Sequence, residues 1–317
     1  MDLQQRARTI IETNLALQPG ETLLVVTDDP TREVGELFYE AARAMDHRAL
    51  IMQMPEGSVA GEEPPAPVAA AMKAADVALC PTAKSITHTN ARIKAAAAGT
   101  RVVTMPGITM DMLRDGAACA DYDQVERRTR QLTERLTHAK HARIEKDGHV
   151  LELALTGRDG VASPGVYREP GASGNFPSGE AYIAPLEDGA NGTAVIDGSM
   201  VGIGTLTEPM TVTIENGRLT RIEGADAQGP YAERLGILFD QPENGTIAEL
   251  GIGTNEAAKL CGIILEDEKL YGTVHIAFGT NTSFGGITKA DCHLDGIILN
   301  PTLYLDDECV ISKGEFL

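Results

Sequence analysis

The hydrophobic period changes near residue 149, and that change limits the chain to two differently built halves. Up to residue 107, short β-branched runs alternate with helical patterns. ETLLVVTDD (21–29), ALIMQMP (49–55), ADVALCPT (75–82) and TRVVTMPG (100–107) read as strands. Helices are expected from Pro30-Thr31 to about Met45, over 67–75, and over 88–99 with Gly99 closing the last. A short helix is expected near Met110, and the Pro-, Gly- and Glu-rich stretch 56–67 reads as a loop. Such alternation builds βαβ units and a mostly parallel sheet. No GxGxxG follows the first strand, so the sequence offers no dinucleotide fingerprint there and a scaffold role is expected.

From His149 onward the period drops to two. HVLELAL, GTAVIDG, MTVTIENG, RLTRIEG and LYLDDECVIS are short alternating runs bounded by Gly, Asn and Asp. Asn216-Gly217 fits a type I′ hairpin turn. The charged helical pattern over 122–144 leads into this half, and helices are expected over 229–241 and 255–265. The fold class expected is therefore α/β plus α+β. An N-terminal, mostly parallel α/β scaffold domain (1–140) precedes a C-terminal domain (141–317) dominated by antiparallel strands.

Charge divides the chain at the same place. Residues 1–140 carry 16 basic and 19 acidic side chains, whereas residues 141–317 carry 11 and 27. The total of −19 argues against partners such as nucleic acid or an anionic membrane. No apolar run approaches the roughly 20 residues of a membrane-spanning helix. The opening MDLQQRARTIIETNLAL is amphipathic and has no signal-peptide core. Five cysteines without a CxxC pair read as reduced thiols, which points to the cytoplasm. The acidic second half is either a cation site or a soluble surface.

Soluble surface is the commoner case, and the ligand-type residues by themselves leave a metal site and an internal polar network equally open. His275 (GTVHIAFG) and His293 (ITKADCHLDG) lie in stretches dense with Gly, Thr, Asn and acids. His293 and Asp295 are two apart, so on an extended strand both point to one face and can share an ion. Glu249 is flanked by Ile247, Ala248, Leu250 and Ile252, where an unpaired buried acid is costly. Glu180 follows the tight NFPSG segment. The run Glu266, Asp267, Glu268 reads as a solvated turn before the strand at Tyr271.

Four stretches, NFPSGEAYIAP (175–185), AELGIGTN (248–255), EKLYGTVHIAFG (268–279) and HLD (293–295) with PTLYLDD (301–307), together resemble the metalloaminopeptidase family of aminopeptidases T and S. The resemblance implies a hydrolase that removes N-terminal residues from peptides, or cleaves related small amides, through a metal-activated water. It places metal ligands on Glu180, Glu249, His275, His293 and Asp295, enough for two divalent ions, zinc, cobalt or manganese. Glu180 or Glu249, if not fully committed to metal, is a candidate proton shuttle. A homodimer is also implied. The peptidases carry a tyrosine seven residues after the histidine matching His275, and here that position is Thr282, the remaining catalytic candidate.

GTNTSFGGITKADCHLD also resembles a second branch of the same fold, the iron-dependent ring-opening dioxygenases acting on 2,5-dihydroxypyridine. That branch uses two histidines and one aspartate on a single Fe(II). His293 and Asp295 match its HxD pair, its other histidine falls at Glu249, and its counterpart of His275 is not a ligand. Because this chain keeps the full acid and histidine set of the hydrolases, hydrolysis is the expected reaction. The alternative is a mononuclear Fe(II) ring-opening dioxygenase, or a ring or amide hydrolase, acting on a small heterocycle.

Overall fold

The computed structural model describes residues 2–224, 229 and 231–317. It is a mixed α/β protein with one parallel sheet and two antiparallel sheets. The parallel sheet has the order Arg48–Gln53, Thr22–Thr27, Val77–Thr82, Arg101–Pro106, Ser173–Asn175. Each apolar run of the first half forms a strand, and the intervening patterns form helices Arg32–Ala44, Ala66–Ala74 and Asn90–Ala97. Leu24, Val26, Ala78, Cys80 and Val102 of the strands pack against Val68, Met72, Ala91 and Ala95 of the helices. At the end of the first strand, buried Asp28 accepts from Thr31 Oγ1 at 2.7 Å and from the Ala83 amide at 2.7 Å. This carboxylate ties together the exits of two neighbouring strands.

The division into units departs from residue 140. One compact unit comprises Met1–Glu126 and Gly165–Ser178, the other Arg127–Pro164 and Gly179–Leu317. The helix Tyr122–His138 is thus divided, and the pattern read as helical to residue 144 instead turns into the strand His141–Lys146. The reason for the return segment is a strand pairing: Ser173–Asn175 pairs in parallel with Val102–Thr104 and completes the first sheet.

The second unit holds an eight-stranded and a seven-stranded antiparallel sheet. The Asn216-Gly217 turn joins Met210–Glu215 to Arg218–Glu223, with φ of 49° and 75° at the two turn residues, as a type I′ turn requires. The helix expected over 229–241 is Ala232–Asp240, residue 230 lying outside the described residues. The helix expected over 255–265 is absent there, and a single turn, Ile264–Asp267, stands at its end. Asp267 captures the amides of Cys261 (2.7 Å) and Gly262 (2.9 Å), and Gly262 takes φ 80°, which a helix cannot accommodate. Among the described residues no helix is long and apolar enough to cross a membrane.

The seven-stranded sheet runs Gly204–Thr205, Ser199–Met200, His293–Ile298, Val274–Gly279, Ile247–Gly253, Glu180–Ile183, Val161–Ser163. One face supplies Ile183, Leu250, Ile252, Val274, Ile276, Phe278 and Ile298 to the core. The other face carries the acids and imidazoles.

Candidate metal centre

Register explains how residues over a hundred positions apart meet. Across neighbouring antiparallel strands, paired residues point to the same side. His275 pairs with Gly251, Ala277 with both Glu249 and Asp295, Gly279 with His293, and Gly253 with Glu180. All five expected ligands therefore share one face of four adjacent strands, with Gly251, Gly253, Ala277 and Gly279 interleaved. These small residues leave the room that the longer side chains fill.

Glu249 reaches this face through a bulge. Ile247 pairs with Phe278 and Glu249 with Ala277, so Ala248 is an extra residue in its strand. Both Ile247 and Glu249 are odd-numbered, and strict alternation would put them on one side. The bulge lets Ile247 stay in the core while Glu249 turns toward the imidazoles.

The side chains form two contiguous groups, Glu249–His293–Asp295 and Glu180–Glu268–His275. His293 Nε2 lies 3.4 Å from both Glu249 Oε2 and Asp295 Oδ1. His275 Nε2 lies 3.3 Å from Glu249 Oε1 and 3.6 Å from Glu180 Oε2. Donor atoms each about 2.1 Å from one ion, at right-angled to tetrahedral geometry, lie about 3.0–3.4 Å apart. The two imidazole-to-carboxylate distances in the first group have that spacing.

Its imidazole is also set for coordination. His293 Nδ1 is 2.8 Å from the Thr280 carbonyl, which can only accept, so Nδ1 carries the proton donated there. In the neutral ring Nε2 then presents its lone pair between the two carboxylates, the arrangement usual for a ligating histidine. Without a metal, burial opposes protonation of both imidazoles but the carboxylates prevail. Hydrogen bonding to Glu249, followed by the charges of Glu180, Glu249 and Asp295, raises His275 to about 9. Asp295 and then Glu249 raise His293 well above its usual value. Burial opposes ionisation of Glu249 too, yet its bonds to His275 and His293 lower it to about 2. The pocket favours a cation.

The acidic run 266–268 is not a solvated turn. Glu266 and Asp267 are buried and accept backbone amides, and Glu268 is half-buried beside Glu180 and His275. Lys269 is fully buried, its ammonium 2.6 Å from Glu180 Oε1 and in a shorter contact with Glu268 Oε1. Glu268 and Lys269 are the residues sequence reading passed over. The signal available was one lysine isolated in an acid-rich stretch running straight into GTVHIAFG. Buried Glu180 Oε2 and His275 Nδ1 have no hydrogen-bond partner.

Phe284 stands edge-on to His293 (6.0 Å between ring centres) and to Tyr182 (5.3 Å). Its loop is pinned by Glu187, which accepts from the Ile287 amide at 2.8 Å and pairs with Arg158 at 2.5 Å. Thr282 is exposed on this same turn and belongs to neither ligand group.

Gly251 is the sharpest steric test. A Cβ there would lie 2.0 Å from His275 Nε2. Gly251→Ala should therefore push the ring from Glu249, reducing bound metal by at least about tenfold and lowering stability by about 1–3 kcal/mol through overpacking. Elemental analysis and thermal melts check this, and unchanged metal content would refute the packing argument.

Comparison with known proteins supplies the context. A family model described as 2,5-dihydroxypyridine 5,6-dioxygenase matches residues 7–317. The 2,5-dihydroxypyridine 5,6-dioxygenase of Pseudomonas putida KT2440 is 32% identical over 167 residues, covering 49% of this chain and 47% of that protein. The chain thus spans about half the length of that curated relative. The solved structure of 2,5-dihydroxypyridine dioxygenase from Pseudomonas putida KT2440 superposes with a TM-score of 0.83 at 23% identity, covering 99% of this chain and 96% of that one. AmpT from Thermus thermophilus superposes with a TM-score of 0.73 at 15% identity, covering 99% and 98%. At such identities the two structures establish a shared fold.

Proposed function

Because the chain belongs to the 2,5-dihydroxypyridine 5,6-dioxygenase family, we propose that it is an oxygen-consuming, ring-opening enzyme for a small dihydroxylated heterocycle, with one ferrous ion held by Glu249, His293 and Asp295. The observation carrying this reading is the family match over residues 7–317. It corrects the expected reaction. The aminopeptidase resemblance is one of fold, shared with AmpT at 15% identity, and the hydrolase, protease and aminopeptidase reading gives way to the dioxygenase. The acid and histidine set misled because the two branches share a fold, and a ligand inventory does not specify a reaction.

The donor set suits the ion. Imidazole binds iron well, and carboxylate oxygens favour hard divalent ions over thiophilic ones. With Glu249 where the dioxygenase branch has a histidine, the set becomes one imidazole and two carboxylates, more anionic than two imidazoles and one carboxylate. A ferrous ion bound there would supply open coordination positions and the one-electron chemistry that lets dioxygen react with an aromatic diol.

The chain's own residues do the rest. Thr280 holds the His293 ring by accepting its Nδ1 proton. The Phe284 and Tyr182 rings form an apolar wall beside His293 that suits a flat aromatic substrate. Glu180 Oε2, buried and without a hydrogen-bond partner, is the acceptor that takes a substrate hydroxyl proton. Its other oxygen is fixed by Lys269, so the carboxylate is held in one orientation. A homodimer, implied by the family resemblance, belongs to this proposal as well.

An oxygen electrode tests the reading. Protein reconstituted anaerobically with ferrous iron should consume one O₂ per 2,5-dihydroxypyridine and bleach its ring absorbance, while releasing nothing from aminoacyl amides. Fully iron-loaded protein that leaves both oxygen and ring absorbance untouched would sink it.

A further inference from the structure

We infer that Lys269 is a built-in cation occupying the place of a second metal ion, which limits this site to one metal per chain. The inference rests on the proposal that Glu249, His293 and Asp295 hold the first ion. The sheet face offers a second group of three donors, Glu180, Glu268 and His275, close enough together to hold an ion. Lys269 Nζ already bonds two of the three, one oxygen of Glu180 and one of Glu268. An ammonium has three N–H donors and no lone pair, so it cannot share a metal's coordination shell. What it brings to this group is a fixed positive charge already bonded to two of the three acids and bases that a second ion would need.

The lysine is built in, with no room to swing away. It is 0% exposed. Its carbonyl accepts from the Asn255 amide at 2.9 Å and its amide donates to the Glu266 carbonyl at 3.0 Å. Gly253, the cross-strand partner of Glu180, permits the close approach: a Cβ there would meet the Leu270 carbonyl oxygen at 2.0 Å and the Lys269 carbonyl carbon at 2.8 Å. A divalent ion bound by Glu180, Glu268 and His275 would lie within a few ångströms of Nζ, and the burial of Lys269, Glu180 and His275 strengthens the repulsion between them. Removing the ammonium would leave two carboxylates facing each other across an empty position, and a second cation should fill it.

Mn(II) is the probe, counted per chain by elemental analysis after equilibration and desalting. Electron paramagnetic resonance reports whether neighbouring ions are exchange-coupled. The wild-type chain should hold one Mn(II) and show an uncoupled spectrum. Lys269→Met, nearly the same length but uncharged, should hold two and show a coupled pair, whereas Lys269→Arg, which keeps the charge, should stay at one. If Lys269→Met folds poorly without metal, refolding with Mn(II) should recover it with two ions bound. Two ions in the wild type or in Lys269→Arg would overturn the inference, as would one ion in folded Lys269→Met at saturating Mn(II). Those results leave the first metal position standing. A wild-type chain with no Mn(II) would instead remove the ligand assignment and this inference with it.

Discussion

Exchanging His293 for alanine should strip the protein of iron and lower oxygen consumption by more than about 100-fold. The imidazole is the one nitrogen donor in the Glu249–His293–Asp295 group, and its Nε2 is 3.4 Å from both carboxylates. Without it, two carboxylates are left to hold the ion. Since loss even of a group that merely supports a ligand commonly costs 10–100-fold in metal affinity or activity, loss of the ligand should cost more. Glu180→Gln should behave differently. It keeps the shape and removes the proton acceptor, so turnover should fall while iron content holds. Thr282→Ala, on the exposed side of its turn, should alter neither. Iron stoichiometry and oxygen uptake measured on the same preparations decide the matter. His293→Ala with full iron would remove His293 from the ligand set, and Glu180→Gln that loses its iron would move Glu180 into it.

These contrasts depend on features of unequal legibility in the sequence. The strands bearing His275, His293 and Asp295 were readable because alternation with period two is a local property, and His293 and Asp295 share a face for that reason alone. Glu249 was readable as an acid needing a partner, but not as a neighbour of His293. Its placement depends on the bulge at Ala248, which no local pattern announces. Lys269 and Glu268 were hidden for another reason. A run of charges normally faces water, and only the packing of Gly253 against the Lys269-Leu270 backbone draws this one inside. The helix expected over 255–265 rested on good helix formers, yet the Asp267 carboxylate takes the Cys261 and Gly262 amides that a helix would need. Likewise the boundary at residue 140 followed the change in period, whereas Ser173–Asn175 returns to the parallel sheet through a pairing across 70 residues. Local pattern found the elements, and non-local pairing decided which faces and units they joined.

The metal-free protein should lose stability as pH rises from about 6.5 to about 9, and added metal should restore most at the alkaline end. In the folded state His275 titrates at about 9, because hydrogen bonding to Glu249 and the surrounding carboxylates outweigh burial, against about 6.5 when unfolded. A base whose folded value is raised contributes its full stabilisation below the unfolded value and loses it as pH climbs through the folded one. For His275 this amounts to about 3 kcal/mol. The raised value of His293 acts in the same direction. Glu268 adds to the loss over the lower part of this range: burial, against the pull of Lys269, raises it from 4.5 to about 8, so its contribution declines from about 4.5 upward and levels off above about 8. Glu249, lowered to about 2, works at the other end, where its contribution is kept above about 4.5 and lost only as pH falls toward 2. A metal ion must displace the proton from His293 before it binds, so binding releases protons and tightens as pH rises. Thermal melts of chelator-treated protein should therefore fall by several degrees between pH 6.5 and 9, while the rise in Tm on adding Mn(II) or Fe(II) should grow over the same interval. A metal-free Tm that is flat or rising there would show that the imidazoles are not held protonated by the carboxylates, and the electrostatic description of the cluster would have to be replaced.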